Sequence, residues 1–186
     1  MSKKYLSKLA VIAAVGALAQ VAMAADGTVN FTGEITDSIC SLAPESQLIN
    51  VPLGKITRTK FQTVGTGSAP AKFTINLLDC PAGINKGKVT FSGTADSRVA
   101  DLVAIDGSGQ GNPAAQGVGI EIGDWEGQKI ALGSASREYA LTQGANKLQF
   151  QARYVSTLPL VGAAPTDPVL QAGPANGTAQ FTVAYN

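Results

Sequence analysis

Two side chains in this sequence of 186 residues offer distinctive chemistry, Cys40 and Cys80. Thiols pair with each other, bind metals or act as nucleophiles, and neighbours and compartment decide which. The sequence contains no histidine. That removes the commonest general base, the serine and cysteine triads, and most zinc, copper and haem ligand sets. Two cysteines alone cannot complete a tetrahedral metal site, and their separation of 40 residues is no CxxC redox motif. Any catalysis would rest on carboxylates, lysines or tyrosines. Asp96, Asp101 and Asp106 lack the spacing of a calcium loop and read as turn residues on a solvated face. The stretch DGSGQGN, from Asp106 to Asn112, superficially matches a phosphate-cradling glycine loop. No helical pattern follows it and no Lys-Ser/Thr pair closes it, so it reads as a hairpin tip. Trp125, the single tryptophan, follows a turn and reads as core or rim packing before it reads as a sugar platform. No catalytic residue, metal or cofactor is expected.

The compartment comes from the first residues. Lys3, Lys4 and Lys8 supply a positive end, Leu9 to Leu18 an apolar run, and Ala22-Met23-Ala24 a small-x-small cleavage site before Ala25. The apolar run is too short for a membrane span and is followed by Gln20 and Asp26. Residues 1–24 are therefore expected to be a cleaved export signal, with no membrane insertion afterwards. Removing them and their three lysines leaves 162 residues with 11 basic and 13 acidic side chains. That balance offers no electrostatic footprint for nucleic acid or anionic lipid. Export also makes a Cys40–Cys80 disulfide the default, contributing roughly 3–4 kcal/mol by loop closure.

The elements that must position these residues are strands. Charged residues are 15% of the chain against a usual ~25%, and 45% are hydrophobic, which describes one packed, weakly charged domain. Apolar residues recur at every second position: Phe73, Ile75 and Leu77; Val89 and Phe91; Val118, Ile120 and Ile122; Leu148, Phe150, Ala152 and Tyr154; Phe181, Val183 and Tyr185. Asp106-Gly107, Asn112-Pro113, Gly123-Asp124 and Pro165-Thr166-Asp167-Pro168 supply turn signals between them. No useful helical stripe follows the export signal. The pattern predicts an antiparallel β-sandwich.

The two ends of the mature chain are unusual for such a fold. Val29, Phe31, Gly33 and Ile35 form one apolar row ahead of Cys40, a strand that is either an ordinary first strand or one exported to another molecule. At the other end AQFTVAYN stays strand-like to Asn186, and burying Phe181, Val183 and Tyr185 needs neighbours on both sides. A sandwich short of one strand would expose an apolar groove and unpaired backbone.

Six stretches, in this order, resemble one known family, the pilin subunits of chaperone-usher fimbriae of the type 1 kind. They are FTGEITDSIC, VPLGKITRTKF, PAKFTINLLDC, GVGIEIGD, LTQGANKLQFQARYVS and AGPANGTAQFTVAYN, the last with Gly173 fourteenth from the end and Tyr185 penultimate. The resemblance implies an all-β, incomplete immunoglobulin-like sandwich of six strands whose last strand is supplied in trans. It implies a donor extension at 25–36, with Val29, Phe31, Gly33 and Ile35 facing the next subunit, and a pilin domain at 37–186. Gly173, Phe181, Val183, Tyr185 and the Asn186 carboxylate would form the chaperone-facing and acceptor end. The implied partners are copies of itself or related pilins, a periplasmic chaperone and an outer-membrane usher. The implied destination, reached through the periplasm, is the fimbrium on the bacterial surface, where it serves adhesion. The residues alone also leave open a secreted carbohydrate-binding sandwich, and within the family a minor adaptor subunit.

Overall fold

The computed structural model describes residues 29–33, 39–106 and 113–186. The export signal, Ile35 and most of the glycine-rich stretch after Asp106 lie outside the described residues. The chain divides into two units, Met1–Ile35 and Thr36–Asn186. In the first, residues 29–33 carry no strand assignment, and Val29 and Phe31 are 74% and 93% exposed.

The second unit is all-β. Its strands are β1 (Ser41–Leu42), β2 (Ala71–Cys80), β3 (Lys86–Gly93), β4 (Val118–Asp124), β5 (Lys129–Ile130), β6 (Tyr139–Ala140), β7 (Gly144–Ser156) and β8 (Ala179–Tyr185). Two single-turn 3-10 helices, Pro44–Ser46 and Arg58–Lys60, are the only helices among the described residues. One sheet has the order β1-β2-β7-β4-β5 and the other β6-β3-β8, with every ladder antiparallel. Against the six strands that the resemblance implies, the described residues form eight, three of them only two residues long. The architecture is an open immunoglobulin-like sandwich.

Period-two patterning explains the packing. Ile75, Leu77, Val89, Phe91, Leu148 and Phe150 are buried, and they point inward from three strands. The Phe150 ring lies 5.1 Å from Phe91, edge-on, and 5.6 Å from Phe73, stacked. Burying each such side chain contributes about 1.5–3 kcal/mol, so these rows outweigh the single ion pairs on the surface, worth about 0–1 kcal/mol each. Strand β4 is buried along almost its whole length, Glu121 alone being partly exposed. Gly119 fits there because an added Cβ would come within 3.0 Å of the Leu102 side chain.

Cys40 and Cys80 are disulfide-bonded, tying the entry of β1 to the end of β2. One turn signal falls differently from its expectation. Gly123 and Asp124 close β4, and the reversal follows them. Asp124, 1% exposed, accepts backbone N–H bonds from Glu126 and Gln128 through Oδ1, both at 2.9 Å. Its other oxygen lies 2.9 Å from Arg137 Nε. The carboxylate thus builds the turn from inside the strand end, where sequence alone reads it as the turn itself.

Candidate functional site

The second unit carries a groove of about 890 Å³. Its floor is apolar: Phe73, Phe91, Ile120, Ile122 and Ala152, with Val103 and Tyr154 at one end. One wall is residues 47–54 and the other residues 175–181, which include the start of β8. A second hollow, about 300 Å³, lies beside Trp125, Gln149 and Gln151.

Both walls carry backbone with hydrogen bonds to give. Among the described residues β8 pairs only with β3, from Gly87↔Tyr185 to Gly93↔Ala179, so its other edge is free. Among the described residues the 47–54 wall joins no ladder, yet Ile49, Val51 and Leu53 are half-buried while Leu48, Asn50, Pro52 and Gly54 are exposed. That alternation is a strand pattern without a strand partner. A groove with an apolar floor, bounded by the free edge of β8 and by a wall that joins no ladder among the described residues, is chemically a receptacle for an extended chain. Backbone amides and carbonyls on either side give affinity, and alternate side chains dropped onto the floor give register. Left empty, such an edge templates aggregation.

Of the C-terminal residues singled out in the sequence, Phe181 lines this groove, and Gly173, Val183, Tyr185 and Asn186 are not among its lining residues. Phe181, Val183 and Tyr185 are half-buried against the core and oppose Phe91, Val89 and Gly87 across the ladder. The Phe181 and Phe91 rings lie 6.5 Å apart. Burial raises the Tyr185 hydroxyl above the ordinary phenol range. Asn186 is exposed and donates its backbone N–H to Lys86 O at 3.0 Å. Gly173 lies ahead of β8, outside the strand, and its role is steric: a Cβ there would overlap Pro113 O and come within 2.6 Å of Ala115 N. Only glycine lets those two backbones pass.

At the N-terminal end, Val29, Phe31 and Gly33 are exposed, and Ile35 lies outside the described residues. An added Cβ at Gly33 would meet nothing within 4 Å. Among the described residues nothing demands glycine at that position.

Sequence reasoning missed the 47–54 wall, although Ile49, Val51 and Leu53 at period two could have disclosed it. It also missed the clamp in which Tyr154 donates its hydroxyl proton to Ala175 O at 2.7 Å, holding the approach to β8 against β7. Away from the groove, Arg137 pairs with Glu126 at 2.7 Å and covers Trp125 at 4.5 Å from the ring centroid. Tyr139 packs edge-on to Trp125 at 4.9 Å and donates to Gln149 O at 2.6 Å. Burial raises the Tyr139 hydroxyl well above the ordinary phenol range. Trp125 remains 41% exposed, a rim residue with one face already taken by a guanidinium.

A family model described as fimbrial protein matches residues 29–186. A probable major fimbrial subunit of Escherichia coli O157:H7 is 38% identical over 160 residues, covering 86% of this chain and 88% of that one. A type-1 fimbrial protein subunit of Serratia marcescens is 37% identical over 190 residues, covering 98% and 99%. Among solved structures, an antigen and type I fimbria protein of Burkholderia pseudomallei superposes with a TM-score of 0.57 at 31% identity, covering 86% of this chain and 97% of that one.

Proposed function

The chain belongs to the fimbrial protein family, and we propose that it is a structural pilin that polymerises by exchange of strands between subunits. The observation that carries this reading is the open groove, with an apolar floor and a free strand edge at β8. A periplasmic chaperone lends a strand to the groove after export. At the outer-membrane usher the segment Val29 to Ile35 of the next copy replaces it, with Val29, Phe31, Gly33 and Ile35 towards the floor. Each subunit then uses its extension on one neighbour and its groove on the other. That contact is heterologous and does not close, which is the geometry of a filament. Residues 25–36 act as the donor and 37–186 as the acceptor domain. The Asn186 carboxylate is gripped by basic chaperone residues through charge-assisted bonds. The role is mechanical, in the surface fibre through which the cell adheres, and it uses no catalysis.

Electron microscopy of cells with and without the gene, combined with mild heating of the fibres in detergent, tests the reading. Gene-dependent fibres that break down into a ladder of multimers are expected. Fibres unchanged on deletion, together with a purified mature chain that stays a soluble monomer without any added strand, would reject it.

A further inference from the structure

The charges of this chain are segregated along its length. No basic residue occurs between Lys8 and Lys55, while Asp26, Glu34, Asp37 and Glu45 fall in that stretch. Three cations then follow within six residues, Lys55, Arg58 and Lys60. Their segment starts directly after Gly54, the last residue of one groove wall. It ends at Phe61, which is buried with Val118 and Leu170 and packs beside Tyr154. Since Tyr154 is clamped to Ala175, residues 55–60 stand at the end of the groove where β8 begins. All six are exposed. Among the described residues Lys86, Lys88, Lys129, Arg137 and Arg153 each have a carboxylate within 3.6 Å, whereas Lys72, Arg98 and Lys147 have none and neither do the three clustered cations Lys55, Arg58 and Lys60.

Three unpaired cations side by side repel one another and gain nothing from their own fold, but they attract an acidic segment at a distance. The same sequence supplies one. Glu34 stands next to the last apolar residue of the donor row, Ile35, and Asp37 follows two residues after it, with no cation between Lys8 and Lys55 to accompany them. We propose that Lys55, Arg58 and Lys60 are the docking site for the Glu34 and Asp37 carboxylates of the incoming copy, steering the donor to the groove and setting its direction.

The inference rests on the donor-strand reading above and adds a determinant to it. With Val29, Phe31 and Gly33 over the floor, the two carboxylates reach the 55–60 end only if the donor runs antiparallel to β8. The opposite direction carries them to the Tyr185 end, where Lys86 and Lys88 are already engaged by Glu138 at 3.4 and 3.6 Å. The apolar floor sets register through side-chain fit, and the charges add a preference of direction to it. Because all these groups are solvent-exposed, the effect falls on the association rate and is screened by salt.

The test uses the chaperone-bound subunit from cells, mixed with synthetic peptides of residues 25–38 at low and at high salt, with native mass spectrometry following the subunit–peptide complex. The Glu34→Lys, Asp37→Lys peptide is expected to enter about 10-fold or more slowly than the natural peptide at low salt. High salt should shrink that gap, and a Lys55→Glu, Arg58→Glu, Lys60→Glu subunit should restore fast entry to the reversed peptide. Equal rates for the two peptides on the natural subunit at low salt would overturn the proposal, and this comparison leaves the subunit's folding untouched. A charge-reversed subunit that takes the natural peptide at the normal rate would also overturn it. If neither peptide enters at any salt, the donor-strand reading falls along with it.

Discussion

Gly33 and Gly173 are both glycines at the margins of this domain, and opposite requirements hold them. Gly173 is glycine because the backbone of Pro113 to Ala115 runs against it. Gly33 has open space around it, so its own chain would accept a side chain there. Replacing Gly33 by leucine should therefore leave subunit yield and chaperone binding unchanged while abolishing fibres, because the added bulk meets the groove of the next copy. Normal fibres from Gly33→Leu, seen by electron microscopy, would remove the glycine from the donor role. A second residue-scale expectation concerns Tyr139. Burial raises its folded pKa above the unfolded value of 10.0, so its contribution is fully present below about pH 10 and is lost as pH rises through the folded value. Alkaline unfolding of the natural subunit should coincide with the appearance of phenolate absorbance. Tyr139→Phe should weaken that coupling and, by leaving Gln149 O without its donor, cost about 1–3 kcal/mol at neutral pH.

At the scale of elements, what was readable was the strand rows. Phe73, Ile75 and Leu77 on β2, Val89 and Phe91 on β3, and Leu148, Phe150 and Ala152 on β7 all fall on the faces that their alternation assigns, because period two is local geometry. The turn after β4 was misplaced, since a buried aspartate capping from inside a strand looks the same in sequence as an aspartate within a turn. The 47–54 wall went unread because Pro52 demotes a strand pattern and no neighbour in sequence marks it as an edge awaiting a partner. Two predictions belong here. Serine at Cys40 and Cys80 should cost roughly 3–4 kcal/mol, measured by urea unfolding of the chaperone-bound or peptide-filled subunit. It should lower periplasmic yield more than it alters fibre geometry. Several residues added after Asn186 should impair chaperone capture by burying the terminal carboxylate's position, and unimpaired capture in a pull-down would reject its anchoring role.

For the whole molecule, the proposed function makes stability conditional on a second chain that fills the open groove. The isolated mature chain should unfold or aggregate readily, and addition of a peptide spanning residues 25–38 should raise its melting temperature with peptide concentration, as mass action requires. A chain without residues 25–35 should still be captured by chaperone and still accept that peptide, yet form no fibres with itself. Size-exclusion chromatography and microscopy separate these outcomes. By itself the sequence determined the strand rows and the lack of any histidine-based chemistry, because each follows from residue type and near spacing, and it made a Cys40–Cys80 bond the expectation that the structure bears out. The tertiary structure decided the rest: that β8 is an edge, that 47–54 and 175–181 face each other across an apolar floor, and that three cations stand at one end of it. Those facts depend on which strands lie side by side. That neighbour relation is fixed by packing between residues far apart in the chain, where local periodicity carries no information.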